Sequence, residues 1–98
     1  MVGFGMIFDE TYRPVFERRA VEPLYSMRTG PVKVQLTAAA TRTGARVARY
    51  LCSAPPALGQ IRNCVGPDAL ADLLQSDVTV VCVATPDDRH FDAARAAL

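Results

Sequence analysis

The sequence predicts a domain of the α/β class, in which helices cover both faces of a doubly wound parallel sheet. Apolar runs alternate along the chain with stretches of helical periodicity, which is typical of successive strand–helix–strand units. One run, Val78–Ala84, is apolar at nearly every position, as a strand buried between two helix layers requires. Half of the residues are apolar and 21% are charged, which is ordinary for a globular fold.

The first half of the chain predicts a helix, a strand and a second helix. A helical pattern begins near Phe8 and runs to about Ala20. Pro14 predicts a kink in it, because an interior proline removes a backbone donor. Val32–Ala40 follows a Gly-Pro turn and predicts a strand, and Thr43–Leu51 predicts the second helix. The expected apolar face of that helix has i, i+3, i+4 and i+7 spacing: Gly44, Val47, Ala48 and Leu51.

The second half predicts two further strand–helix units. Gln60–Val65 is a short strand, and Gly66-Pro67-Asp68 opens a helix with a stripe of leucines. Val78–Ala84 is the last strand, and Asp88–Leu98 is the last helix. The residues expected on the inward faces of these two helices are Leu70, Leu73 and Leu74 in the first, and Phe91, Ala94 and Leu98 in the second.

Composition excludes several classes of protein. The formal net charge of +1 offers no electrostatic reason to expect nucleic acid or an anionic membrane as a partner. The longest apolar stretch is far shorter than the ~20 residues of a membrane-spanning helix. The cysteines, Cys52, Cys64 and Cys82, form no Cys-x-x-Cys pair and are odd in number, so we expect no disulfide framework and a reducing, cytoplasmic location.

A glycine pair near the N-terminus forms the first motif. Gly3 and Gly5 directly precede a helix, as at the front of a G-x-G-x-x-G phosphate cradle, where glycines let the backbone approach a pyrophosphate. The third glycine is absent, and Phe8 stands in its place. Asp9 and Glu10 would favour the helix start but repel a phosphate. The alternative is a tight strand-to-helix turn that binds no ligand.

The second motif follows the Val32–Ala40 strand. A site for NAD places an acid here to bind the ribose 2′-hydroxyl, whereas a site for NADP offers an arginine to the 2′-phosphate. The sequence has Thr41, Arg42 and Thr43 and no acid, which favours NADP. The alternative is a solvated arginine at the start of a surface helix.

The third motif is the end of the last strand. Thr85 and Pro86 follow it where the carboxyl ends of strands form the ligand crevice of an open sheet. His90, the only histidine, lies shortly after, and its alternative role is capping or packing. Asp87 and Asp88 can likewise be helix caps. No cluster of ligands predicts a metal site, and no catalytic triad can be assembled.

Two stretches carry a family resemblance. The chain opens with G-x-G-x-I, from Gly3 to Ile7. A strand end of the form A-T-P-N-x-x-H runs from Ala84 to His90, with aspartate in place of asparagine at position 87, and A-x-x-A-L follows from Ala94 to Leu98. Together these resemble the N-terminal domain of the glucose–fructose oxidoreductase, inositol dehydrogenase and rhizopine catabolism family (Gfo/Idh/MocA). The order of strands and helices agrees over essentially the whole chain.

The resemblance implies a partial Rossmann domain of strand order 3-2-1-4 that binds NADP or NAD, with NADP favoured. The intact protein would be an oxidoreductase that transfers hydride between this cofactor and a sugar- or polyol-like substrate. Residue 86 would pack near the nicotinamide. The candidate cofactor-binding residues are Gly3, Gly5, Met6, Ile7, Thr41, Arg42, Thr43, Ala84, Thr85, Pro86, Asp87 and His90.

The resemblance also implies that residues 1–98 form a Rossmann domain truncated at both ends, without the substrate domain of a homo-oligomeric enzyme. The family's catalytic lysine lies in an E-K-P motif that would follow Leu98, so we assign no catalytic residue. One alternative is a dinucleotide-sensing regulator or corepressor without turnover. Another, favoured by Phe8 and Asp9, is an interaction domain that binds no cofactor.

Overall fold

A computed structural model describes all residues, 1–98, as a mixed α/β molecule with four α-helices and two small sheets. The helices are α1 (Arg13–Val21), α2 (Ala45–Leu51), α3 (Ala69–Leu74) and α4 (Asp87–Ala97). The strands are β1 (Leu24–Ser26), β2 (Gly30–Val32), β3 (Ala38–Thr41) and β4 (Arg62–Val65). Two short turns of other helix types are the π-helical turn Phe8–Tyr12 and the 3₁₀ turn Pro56–Leu58. None of the helices combines the length and apolar character needed to cross a membrane.

The irregularity predicted at Pro14 takes the form of a π-helical turn. The N–H of Arg13 bonds to the carbonyl of Phe8, five residues earlier, and Pro14 lies in the first turn of α1. A proline is tolerated there because the first N–H groups of a helix have no intrahelical partner. The helix then continues to Val21, close to the predicted end.

One of the two sheets is parallel and pairs β3 with β4, from Ala38 opposite Arg62 to Thr41 opposite Val65. Beside it, Val2 makes one parallel bridge to Ala40 and another to Val83. The N–H of Val2 donates to Cys82 at 2.8 Å, and the carbonyl of Val2 accepts from Ala84 at 2.8 Å. The N-terminal residues therefore lie between β3 and the chain around Val83.

The predicted strands Val32–Ala40 and Val78–Ala84 are wrong in extent. Val32 ends β2, strand pairing resumes only at Ala38, and Val83 has a single bridge. The strand pairing is short because of the segments that lie beside each strand. Residue 32 pairs with β1, which diverts it from the parallel sheet, and Val83 has only Val2 beside it because the chain turns into a helix after Gly3.

The second sheet, an antiparallel hairpin of β1 and β2, was not predicted. Leu24 pairs with Val32 and Ser26 with Gly30, across a three-residue loop. Gly30 has a φ of +74°, which glycine adopts without strain. A short Leu-Tyr-Ser run followed by a loop ending in glycine is the signal that could have identified it.

Two apolar clusters lie on opposite sides of β3. Ala39 belongs to one and Ala38 and Ala40 to the other, because successive side chains of a strand point to opposite faces. The first cluster comprises Met1, Phe4, Phe8, Phe16, Leu36, Ala39, Val47, Tyr50, Leu58 and Ile61. The second comprises Val2, Ala38, Ala40, Cys64, Ala69, Leu73 and Ala93. Helices α1 and α2 thus pack on one side and α3 and α4 on the other.

The predicted inward face of α2 is confirmed at Gly44 and Val47 and wrong at its other two residues, and that of α4 is wrong at all three. In α2, Val47 and Tyr50 are buried, whereas Ala48 and Leu51 are exposed. In α4 the buried residue is Ala93, and the expected inward residues Phe91, Ala94 and Leu98 are exposed. Apolar periodicity does not distinguish these faces, because alanine occurs on both sides of α4 and small residues permit the closest approach to a sheet.

The Met1 ammonium predicts a pH dependence of stability. It donates to the Ala38 carbonyl at 2.8 Å, and its burial lowers the pKa of this group below the ordinary value of 8.0. Between the lowered pKa and 8.0 the unfolded chain binds more protons, so the free energy of unfolding should rise with pH across that window. The measurement is the urea midpoint against pH for the free and the N-terminally acetylated chain. Equal slopes for the two forms would contradict the prediction.

Candidate functional site

A cleft of about 610 Å³ lies at the carboxyl ends of the parallel strands. Four segments form its walls, and each follows a paired strand or bridge: residues 3–5 after the Val2 bridge, 41–43 at the end of β3, 66–67 after β4, and 85–86 after the Val83 bridge. Parallel strands bring their carboxyl ends to one edge, so segments far apart in sequence meet there.

The cleft brings together part of each of the three sequence motifs. Seven of the candidate residues line it: Gly3, Gly5, Thr41, Arg42, Thr43, Thr85 and Pro86. Five do not: Met6, Ile7, Ala84, Asp87 and His90. Met6 and Ile7 are exposed, Ala84 packs against the first apolar cluster, and Asp87 is exposed in the first turn of α4.

The two glycines of the first motif have different physical reasons to be glycine. Gly3 has a φ of +83°, and a Cβ there would lie 2.5 Å from the carbonyl oxygen of Ala84. Packing alone therefore requires glycine at position 3. At Gly5 the backbone is ordinary, and a Cβ would meet only Nη1 of Arg46, at 3.8 Å. The fold does not require glycine at position 5, where a missing side chain leaves the cleft wall open.

The second motif has an internal hydrogen bond and a free arginine. The Gly44 N–H donates to Oγ1 of Thr41 at 2.9 Å, and the hydroxyl hydrogen of Thr41 has no partner in the protein. The carbonyl of Arg42 accepts from the Gly66 N–H at 3.1 Å, which ties this loop to the one after β4. The Arg42 side chain is exposed and makes no ion pair, so its guanidinium can contact an anion in the cleft.

His90 lies behind the third motif rather than in the cleft. Its Nδ1 is 3.3 Å from Oγ1 of Thr85 and 3.4 Å from the carbonyl oxygen of Pro86. A carbonyl can only accept, so in the tautomer with a proton on Nδ1 both contacts are satisfied and the Thr85 hydroxyl hydrogen is free. His90 is therefore a positioning residue for the wall that Thr85 and Pro86 form.

Sequence reasoning missed several residues of the cleft. The ones with charge are Arg46 in the first turn of α2, and Arg89 and Asp92 on α4. With Arg42, the lining contains three guanidinium groups and one carboxylate, which favours an anionic ligand. Arg46 follows Arg42 by four residues, in the first turn of α2, and this closeness in sequence was the available signal.

The three residues that weakened the phosphate-cradle interpretation, Phe8, Asp9 and Glu10, lie outside the cleft. Phe8 is fully buried in the first cluster, where its ring stacks on Phe4 with centroids 3.5 Å apart. The carboxylate of Asp9 is 3.9 Å from the Arg13 guanidinium and lines an adjoining groove. None of these three side chains occupies the space beside Gly5, so the absent third glycine reflects core packing rather than an obstruction.

Comparison of the chain with models of protein families, with curated proteins and with solved structures finds no match. Function is therefore inferred from the cleft and from the motifs that line it.

Proposed function

We propose that this chain is the NAD(P)-binding Rossmann domain of an oxidoreductase related to the Gfo/Idh/MocA family. In the intact protein it would hold the cofactor for hydride transfer at a sugar- or polyol-like substrate. The observation that carries the proposal is the convergence of three motifs, more than thirty residues apart along the chain, on one cleft. A purely structural role for each motif, such as a tight turn or a helix cap, does not explain why all three lie at the carboxyl edge of one parallel sheet.

The arrangement of the paired segments supports a Rossmann-like order, which we propose as 3-2-1-4. Strand β4 lies beside β3, the Val2 bridge lies on the other side of β3, and Val83 lies beyond Val2. Counting the Val2 and Val83 segments as the first and fourth strands yields that order. The ligand crevice of such a sheet lies where the strand order reverses, which is the position of the cleft.

The residues present fit a dinucleotide. The open wall at Gly5 would admit a pyrophosphate close to the backbone and to the first N–H groups of the helix that follows. The Arg42 guanidinium would bind a 2′-phosphate, and the free hydroxyl hydrogens of Thr41 and Thr85 would donate to ribose or amide oxygens. When bound, the nicotinamide supplies the hydride chemistry.

The Arg42→Ala variant tests the cofactor preference. A charge-assisted contact to phosphate contributes about 1.5–3 kcal/mol, so the wild-type chain should bind NADP⁺ roughly tenfold or more tightly than NAD⁺. The variant should lose that preference and keep its affinity for NAD⁺. The measurement is the dissociation constant of each cofactor by calorimetric titration. Equal affinities of the wild-type chain for NADP⁺ and NAD⁺, or an unchanged ratio of the two in the variant, would contradict the assignment of Arg42 to the 2′-phosphate.

A further inference from the structure

A second concave surface, which we call the arginine groove, lies between the N-terminal helical segment and α2. Its volume is about 380 Å³, and its lining includes the guanidinium groups of Arg13, Arg46 and Arg49 and the carboxylate of Asp9. Arg46 and Phe4 line both this groove and the cleft, so the two surfaces are continuous. No motif of the sequence predicted it.

Arg13 forms a wall of the arginine groove and is already compensated in charge. Its Nε is 3.2 Å from Oε1 of Glu17, its Nη1 is 3.9 Å from Oδ1 of Asp9, and its guanidinium lies 5.7 Å from the centre of the Tyr50 ring. Two carboxylates and an aromatic face hold this cation, so it does not need an external anion.

Tyr50 is held in the same network. Its hydroxyl donates to Oε1 of Glu17 at 3.0 Å. Burial and this hydrogen bond raise the pKa of the Tyr50 phenol above its usual range, so the ring stays neutral and continues to donate. Arg13 and Tyr50 therefore form one wall of the groove, and both contact Glu17.

Arg46 and Arg49 are different, because neither makes an ion pair or a side-chain hydrogen bond. They are three residues apart on α2, which places them on one side of the helix, and both line the groove. Arg13, Asp9 and Glu17 together carry one net negative charge, so Arg46 and Arg49 bring the net charge of these five groups to +1 and are the two guanidiniums without an ion pair. Guanidinium groups match the geometry of phosphate oxygens, which they contact in paired hydrogen bonds.

We propose that the arginine groove binds a phosphate group through Arg46 and Arg49. The phosphate has two possible sources: a free phosphate ion, or a phosphate of a nucleotide in the adjoining cleft. Only the second source rests on the proposed function, because Arg46 would then contact a ligand that extends from the cleft. Arg42 lines the cleft alone, Arg49 lines the groove alone, and Arg46 lines both.

The test compares two double variants of equal charge. Arg46→Gln with Arg49→Gln removes the free pair. Arg28→Gln with Arg95→Gln is the control, because both side chains are exposed, lie outside both pockets and make no ion pair. Each chain is titrated with sodium phosphate at constant ionic strength, with NAD⁺ and with NADP⁺, and the amide signals of α2 are followed by NMR.

We expect the groove variant to lose at least about tenfold in affinity for phosphate, for NADP⁺ or for both, while the control matches the wild type. Loss for inorganic phosphate identifies a free-ion site, and loss for NADP⁺ alone identifies a phosphate of the nucleotide. If phosphate binds through the groove and neither dinucleotide binds at all, the inference stands and the proposed function fails. Unchanged affinities in the groove variant, or equal losses in the control, overturn the inference.

Discussion

Replacing Phe8 with alanine should lower the free energy of unfolding by about 3–5 kcal/mol, the range for truncating a buried aromatic residue. Phe8 is fully buried, stacks on Phe4 and meets the edge of the Tyr50 ring with centroids 5.4 Å apart. The loss removes the centre of the first apolar cluster. Because the free energy of unfolding of a native protein is usually about 5–15 kcal/mol, this loss would leave the fold only marginally stable. The loss in the free energy of unfolding is measured by urea denaturation, with circular dichroism as the signal.

Phe91→Ala is the matched control, because the Phe91 side chain is 72% exposed and its removal should change stability by no more than about 0.5 kcal/mol. Similar losses in the two variants would show that Phe8 is not a core residue. Phe8→Gly, which restores the third glycine of G-x-G-x-x-G, should destabilise the chain at least as much as Phe8→Ala. It should not improve cofactor affinity, because Phe8 does not line the cleft.

The Gly3→Ala variant has the second large expected effect. A non-glycine residue at a φ of +83° costs about 1–2 kcal/mol, and the new methyl group would lie 2.5 Å from the Ala84 carbonyl oxygen and 3.1 Å from the Thr85 nitrogen. Both contacts are with backbone, which must shift, and such overpacking costs a further ~1–3 kcal/mol. We expect a total loss of about 2–5 kcal/mol in the free energy of unfolding.

Gly30→Ala separates the two causes. Gly30 has a φ of +74°, but nothing lies within 4 Å of the position that a Cβ would take. This variant should lose only the ~1–2 kcal/mol of the backbone effect. The difference between the variants then measures the close approach of Gly3 to Ala84. Equal losses would mean that the backbone conformation, and not that contact, makes position 3 a glycine.

Local sequence patterns predicted the elements whose signals are local. The N-terminal helical segment with its π-helical turn, the helices α2, α3 and α4, and strand β4 all lie within a few residues of their predicted bounds. Proline and glycine mark ends, and apolar periodicity marks helices, without any reference to distant residues. The three motifs could likewise be assigned to the ends of strands, which is why parts of all three line one cleft.

Other features depend on partners that are distant in sequence. Only the fold decides that residue 32 pairs with β1 rather than continuing toward β3, and that Ala93 rather than Phe91 meets the sheet. In the local sequence, Phe8 stands where a phosphate cradle has its third glycine. In the fold it is a core residue, because it packs against Tyr50, forty-two residues away. Arg46 joins the cleft to the arginine groove only because α2 packs beside the N-terminal helix.

By itself the sequence determined the class of fold and where its motifs fall, since these depend on neighbours along the chain. Tertiary structure alone decided the buried face of α4 and which charges stay unpaired, since burial and pairing depend on contacts between elements.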